Sequence, residues 1–225
     1  AVLSGTTADL AFALLMAAAR KITQADRYVR NGKWKVAWQP GLMLGQDIHN
    51  STLGIVGMGR IGQEMARRGK GFNMRILYSN RRRIFEIEQE LGAEYVSLPE
   101  LLEKSDFVSL HVPLNESTRN LISRKELDLM KPTAILVNTA RGAVIDQAAL
   151  YEALRSGKIG GAGLDVLENE PVPLDDPLLT LENVVLTPHI GSASGATRRR
   201  MAVMAAENLI AGLRGNKLPN CVNPE

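Results

Sequence analysis

A single cysteine, Cys221, is all the sequence holds, so neither an internal disulfide framework nor a cysteine metal site can form. That usage suits a reducing compartment, and the expected location is cytoplasmic. Aromatic residues make up only 4% of the chain, and its 27 basic residues are interspersed with 24 acidic ones. A net charge of +3 with so few rings to stack on bases argues against nucleic acid as partner. No uncharged apolar run reaches the ~18 residues of a membrane span. No basic segment precedes a short apolar one, so no signal peptide is expected. Histidines number three, too few and too scattered for a metal site, and no metal is expected. Internal repeats and low-complexity tracts are also lacking.

What the sequence does have is alternation. Apolar strand-like runs at 53–56, 74–78, 106–112, 134–138, 162–166 and 184–187, with a short one at 95–96, are separated by helical stretches at 61–71, 84–91, 99–104, 123–130 and 146–156. A long helix is expected over 7–30, with Ser4, Thr6 and Thr7 as cap candidates, and another over 195–214. Strands alternating with helices imply an α/β fold, a doubly wound parallel sheet. Residues 33–51, with Trp34 and Trp38, read as an irregular connection whose tryptophans suit either a core or an interface.

The sharpest motif is Gly57-Met-Gly59-Arg60-Ile61-Gly62, directly behind Leu53–Val56 and directly ahead of a helix. Strand, glycine turn and helix in that order bind a dinucleotide pyrophosphate on backbone N–H groups. Gly57 allows the turn, Gly59 lets backbone approach the phosphates, and Gly62 lets the helix pack close. Strand two ends at Ser79-Asn80-Arg81-Arg82-Arg83, where NAD enzymes carry a carboxylate for the ribose diol. Guanidinium forks pair with a 2′-phosphate, so this end favours NADP(H), with NAD(H) the lesser option. The bland alternative, a solvated charged helix start, stays open.

Chemistry in such sheets lies beyond the carboxyl ends of the strands. Three strand ends there supply Arg141, Asp165 with Glu170, and His189. Singly, each has an ordinary reading: a satisfied structural histidine, or an arginine paired with Glu168 or Glu170. Together they form a proton donor, an orienter and an anion binder.

The glycine turn, Gly71–Met74, Ile76–Tyr78 with Arg81-Arg82, Asn138–Gly142, Ala162–Val166, Glu170-Pro171, Pro188–Ser192 and Asn220–Pro224 together resemble the D-2-hydroxyacid dehydrogenase family. Within it the likeness is greatest to the branch that reduces glyoxylate, hydroxypyruvate and 2-ketogluconate. The spacings agree, 29 residues from Arg141 to Glu170 and 19 from Glu170 to His189. The resemblance implies that His189 protonates the keto oxygen while Glu170 holds the imidazole and favours its charged form. Arg141 would bind the substrate carboxylate, and Asp165 would accept from the nicotinamide carboxamide. Arg60 and Ile61 would meet the pyrophosphate, and Ser79, Arg81 and Arg82 the 2′-phosphate. Pro113, Thr139 and Gly191 would line the cofactor groove.

It also implies a homodimer and a smaller substrate lobe contributed mainly by sequence ahead of position 1. The expected division is 1–51 as interdomain helix and dimerisation or connection segment, 52–192 as NAD(P)-binding Rossmann domain, and 193–225 as return helix and tail. With that lobe absent, the apolar faces of helices 7–30 and 195–214 are expected to be exposed. Three other readings compete. A methyltransferase would want an acid near position 79. A dinucleotide-sensing corepressor would carry recruiting extensions. An NAD-linked phosphoglycerate or formate dehydrogenase would carry the missing carboxylate.

Overall fold

The apolar runs become strands, and those at the centre of the sheet are hidden from both sides. A computed structural model describes residues 2–223; Ala1, Pro224 of the Asn220–Pro224 motif, and Glu225 lie outside them. Among the described residues the strands are β1 (Thr52–Val56), β2 (Arg75–Ser79), β3 (Glu94–Tyr95), β4 (Phe107–Leu110), β5 (Ile135–Asn138), β6 (Gly161–Leu164) and β7 (Val184–Leu186). They form one parallel sheet in the order β3-β2-β1-β4-β5-β6-β7. Every residue of β4, β5 and β6 is buried, as expected of parallel strands covered by helices on both faces.

The pleat splits these side chains between two cores. Leu53, Ile55, Ile76, Tyr78, Phe107 and Val137 face one; Val56, Leu77, Val108, Leu110, Leu136 and Leu164 face the other. The first core is closed by α1 (Ser4–Ala19), α3 (Arg60–Gly71) and α4 (Phe85–Leu91). The second is closed by α5 (Leu98–Lys104), α6 (Arg124–Leu129) and α7 (Gln147–Arg155). Ser97, Asp146 and Ser194 cap α5, α7 and α8 (Gly195–Leu213) by accepting an N–H two or three residues into the helix, and Ser123 with Glu126 makes a capping box on α6.

The direction in which strands are added across the sheet reverses between β1 and β4. From β1 the chain steps outward to β2 and β3, then returns to β4 and steps the other way. The loops after β1 and β4 therefore diverge and leave a cleft at their carboxyl ends.

Several expectations need correction. The single helix over 7–30 is two, α1 and α2 (Ile22–Arg30), broken at Lys21, which takes a left-handed conformation with φ 52°. No helix breaker sits there. The cause is tertiary: Ala19 O accepts from Gln46 N at 3.0 Å, so the returning connection takes up the end of α1. None of Ser4, Thr6 or Thr7 caps α1, whose N-cap is Leu3 without a side-chain bond. The apolar face of α1 is not exposed either. Ala11, Leu14 and Leu15 pack into the sheet's first core, while α2 buries nothing. Trp34 and Trp38 are 56% and 78% exposed, which removes the core reading. For α8 the expected exposure is found, at Val203, Leu209, Ile210 and Leu213. Among the described residues, no helix is long and apolar enough to cross a membrane.

Candidate active site

The glycine turn closes as tightly as its spacing requires. Gly57 has φ +95°, and a Cβ there would stand 2.7 Å from His111 O on the neighbouring strand's exit. At Gly62 a Cβ would collide with Gly57 O, so α3 packs against the turn at backbone distance. Gly59 differs: a Cβ would meet nothing within 4 Å, because the space beside it is open. Gly59 is also the N-cap of α3 and offers no side-chain cap. Among the described residues the first N–H groups of α3, those of Arg60, Ile61 and Gly62, thus stay without side-chain acceptors beside that space, where an anion is favoured.

One flank of the turn leads to the arginines. Asn80, Arg81 and Arg82 border a cavity of about 490 Å³. Among the described residues neither Arg81 nor Arg82 has an ion-pair partner. Arg83 does, in Glu88 at 2.7 Å. Of three candidate guanidinium groups, two are therefore free. The groove continues through about 580 Å³ bordered by Gly57, Gly59, Ser79, Arg81 and Pro113. It passes into about 460 Å³ bordered by Ile61, Pro113, Thr139 and Arg141. His111, Val112 and Pro113 edge both parts.

Thr139 is 8% exposed, and its Oγ1 is buried with no hydrogen-bond partner among the described residues. A buried hydroxyl without a partner is costly and rare. The residues present fit a dinucleotide: an open pocket over bare helix amides, free cations at one end, and an orphan hydroxyl at the other.

Beyond that groove lie the titratable residues. His189 Nδ1 is 2.6 Å from Glu170 Oε2, and the imidazole is about half exposed. Glu170 Oε1 accepts from Leu167 N at 3.1 Å, which fixes the carboxylate. Nε2 of His189 has no hydrogen-bond partner among the described residues. The histidine is thus not a satisfied structural one. It borders a cavity of about 630 Å³ together with Asp165, Leu167, Glu170, Pro171 and Pro188.

Asp165, 2% exposed, ties this region down. Its Oδ1 accepts from Thr187 Oγ1 at 2.6 Å and Ile190 N at 2.8 Å, and its Oδ2 accepts from Gly191 N at 2.7 Å. Those bonds bracket His189, whose φ of 53° is left-handed and whose N–H donates to Asp165 O. Gly191 has room for little else, since a Cβ would lie 3.1 Å from Asp165 Oδ2.

Arg141 follows β5. Asn138 folds the loop back, accepting from Ala140 N and donating to Arg141 O, each at 2.9 Å. The guanidinium donates only to Ala140 O among the described residues, so the alternative of an ion pair with Glu168 or Glu170 does not occur. The fold therefore joins His189, Glu170 and Asp165 by direct or near contact and leaves Arg141 exposed, bonded to none of them. Among the described residues, no group of three or more His, Cys, Asp or Glu is placed to hold a metal.

Two features escaped the sequence reading. His111 lies under the groove with Nε2 2.9 Å from Ser109 Oγ, and burial pushes its imidazole down to about 4. Thr118 Oγ1 donates to Pro113 O at 2.6 Å and accepts from Asn115 N, knotting the loop that walls the groove. The Asn115-Glu-Ser-Thr118 run behind a strand-ending proline was the available signal for that knot.

Residues 12–191 match the family described as D-isomer specific 2-hydroxyacid dehydrogenase, NAD binding domain. A glyoxylate reductase of Korarchaeum cryptofilum is 66% identical over 224 residues, spanning all of this chain and 68% of that protein. The crystal structure of a protein from Thermus thermophilus superposes with TM-score 0.94 at 51% identity, covering 99% of this chain and 70% of that one. A glyoxylate reductase from Paecilomyes thermophila superposes with TM-score 0.88 at 42% identity, over 98% of this chain and 66% of that one.

Proposed function

The chain belongs to the D-isomer specific 2-hydroxyacid dehydrogenases, oxidoreductases of 2-hydroxy and 2-keto acids, and on that premise we propose that it serves an NADPH-dependent reductase of small 2-keto acids. Glyoxylate is the first substrate proposed, with hydroxypyruvate and 2-ketogluconate behind it, each giving the D-2-hydroxy acid. The observation that carries the cofactor reading is the pair of unpartnered guanidinium groups, Arg81 and Arg82, at a strand end with no carboxylate. An acid at position 79 would repel a 2′-phosphate; Ser79 accepts one.

Bound reduced nicotinamide would supply the hydride. The chain's own residues do the rest. Glu170 fixes Nδ1 of His189, so the remaining proton of the imidazolium sits on Nε2, on a residue that borders the open cavity. From there it passes to the keto oxygen as negative charge develops. Arg141, free of protein carboxylates, offers a planar fork to the substrate carboxylate. Asp165 keeps one acceptor direction on Oδ2 for an amide donor, and Gly191 keeps the wall thin. Gly57, Gly59, Gly62, Arg60 and Ile61 hold the pyrophosphate, while Pro113 and Thr139 line the groove.

The proposed division keeps 52–192 as the cofactor domain, 1–51 as crossover and dimer segment, and 193–225 as return helix and tail. The exposed Trp34 and Trp38 support a homodimer contact. The test is calorimetric titration with both cofactors, followed by steady-state reduction of the three keto acids. NADPH is expected to bind at least about tenfold tighter than NADH, a difference of about 1.4 kcal/mol. Equal affinities, or a preference unchanged in an Arg81→Ala/Arg82→Ala variant, would overturn the NADPH assignment.

A further inference from the structure

Arg81 and Arg82 sit on the five-residue loop 80–84 between β2 and α4, and that loop is tied at both ends by tyrosine hydroxyls. Tyr95 Oη donates to Asn80 O at 3.1 Å. Tyr78 Oη accepts from Ile84 N at 2.8 Å and donates to Glu88 Oε1 at 2.7 Å. Between those points Asn80 Nδ2 donates to Arg82 O at 3.0 Å. The two rings stand 5.3 Å apart and brace one another. Glu88 also takes Arg83 through Nε and Nη2, and that guanidinium lies 4.7 Å over the Phe85 ring.

The third arginine is therefore a strut. Its charge is spent on Glu88, and its side chain is held away from the cavity bordered by Asn80, Arg81 and Arg82. Tyr78 is fully buried among apolar side chains that a phenylalanine would satisfy equally. Its hydroxyl serves only the loop and Glu88.

We propose that Tyr78 and Tyr95 are positioning residues for cofactor choice. They hold loop 80–84 so that Arg81 and Arg82 face the 2′-phosphate before the cofactor arrives. Neither tyrosine borders the three cavities of the groove, so neither meets the cofactor. A fork held in place loses less freedom on binding than one on a slack loop. The proposal rests on the NADPH assignment above, and the experiment separates the two.

Tyr78→Phe and Tyr95→Phe each remove one hydroxyl and leave the charge around the phosphate unchanged. NADPH and NADH are titrated calorimetrically into parent, Tyr78→Phe, Tyr95→Phe and Arg81→Ala/Arg82→Ala proteins at several salt concentrations. Tyr78→Phe is expected to weaken NADPH about fivefold and NADH less than about twofold; Tyr95→Phe about two- to threefold for NADPH alone. The salt dependence of NADPH binding stays at the parent slope in both tyrosine variants and flattens in the arginine variant.

Parallel losses for the two cofactors, or no loss, would overturn the positioning role. A parent without NADPH preference overturns both readings. An NADPH preference abolished in the arginine variant but intact in both tyrosine variants overturns this one alone. If Tyr78→Phe does not fold, Tyr95→Phe, at a 41% exposed residue, decides the matter.

Discussion

His189 and His111 show how two imidazoles 78 positions apart acquire opposite tasks from their surroundings. His189 keeps a carboxylate at 2.6 Å, borders the cavity, and has a second nitrogen without a partner among the described residues. If it is the proton donor proposed above, replacing it with alanine should lower kcat for ketone reduction by roughly 10²–10⁴ and leave NADPH affinity within about twofold. A variant that loses affinity and rate together would place the residue in binding. His111 has no charge partner and is packed under the groove. Its value in the folded protein, about 4, lies below the ordinary 6.5, so the unfolded chain takes up a proton first as pH falls. Stability from this residue is complete above pH 6.5 and drains away between 6.5 and 4. The residue's edge still touches the groove, so the loss is bounded at about 3 kcal/mol. Urea unfolding of His111→Gln across that range should show a shallower acid limb than the parent; superimposable slopes would mean the imidazole titrates normally. Arg81, Arg82, Glu170 and His189 were legible as candidates because each lies at or just beyond the end of an apolar strand-like run, where such sheets place their chemistry. His111 was not, because a lone histidine at the end of an apolar strand looks like any other until burial is known.

Among elements, the helix α1 is the least readable from sequence and the most closely fitted. Alanine-rich and without proline or glycine between residues 7 and 30, it gave no reason to stop at Ala19. The stop comes from Gln46, and the face it buries is chosen by α3, β5, β6 and β7, all distant in sequence. The strands were legible because burial on both faces demands unbroken apolar runs. Their order was not, since nothing local states which neighbour each strand takes. Contact between α1 and β6 depends on Gly163, where a Cβ would stand 2.9 Å from Leu14 Cβ and 3.2 Å from its carbonyl. Gly163→Ala should therefore cost about 1–3 kcal/mol in denaturant unfolding as α1 is pushed off the sheet. Gly71→Ala, at the end of α3 with nothing within 4 Å, should change stability by less than about 0.5 kcal/mol. Equal effects at the two glycines would show that backbone freedom, and not helix–sheet clearance, sets the cost.

For the molecule as a whole, the groove proposed for the cofactor lies within the described residues, while the face proposed for catalysis is open. His189 is half exposed and Arg141 stands clear of other side chains. The 225 residues taken alone should bind NADPH and reduce glyoxylate slowly, because among the described residues nothing covers His189 to exclude water or hold the ketone against Nε2. Calorimetry and a glyoxylate assay on the same preparation check this; turnover matching that of a relative with its full length would refute it. The topology has one more effect, on how the chain comes to fold. Thr6 hydrogen-bonds Thr197, a partner 191 residues away, and α1 rests on β6 and β7. During synthesis α1 emerges long before those strands exist. At ~5–20 residues per second its apolar side chains wait roughly ten seconds or more for their seat. The part of α1 that meets β6 and β7 is thus buried late, and in that interval the nascent chain displays to chaperones surface that the folded chain hides.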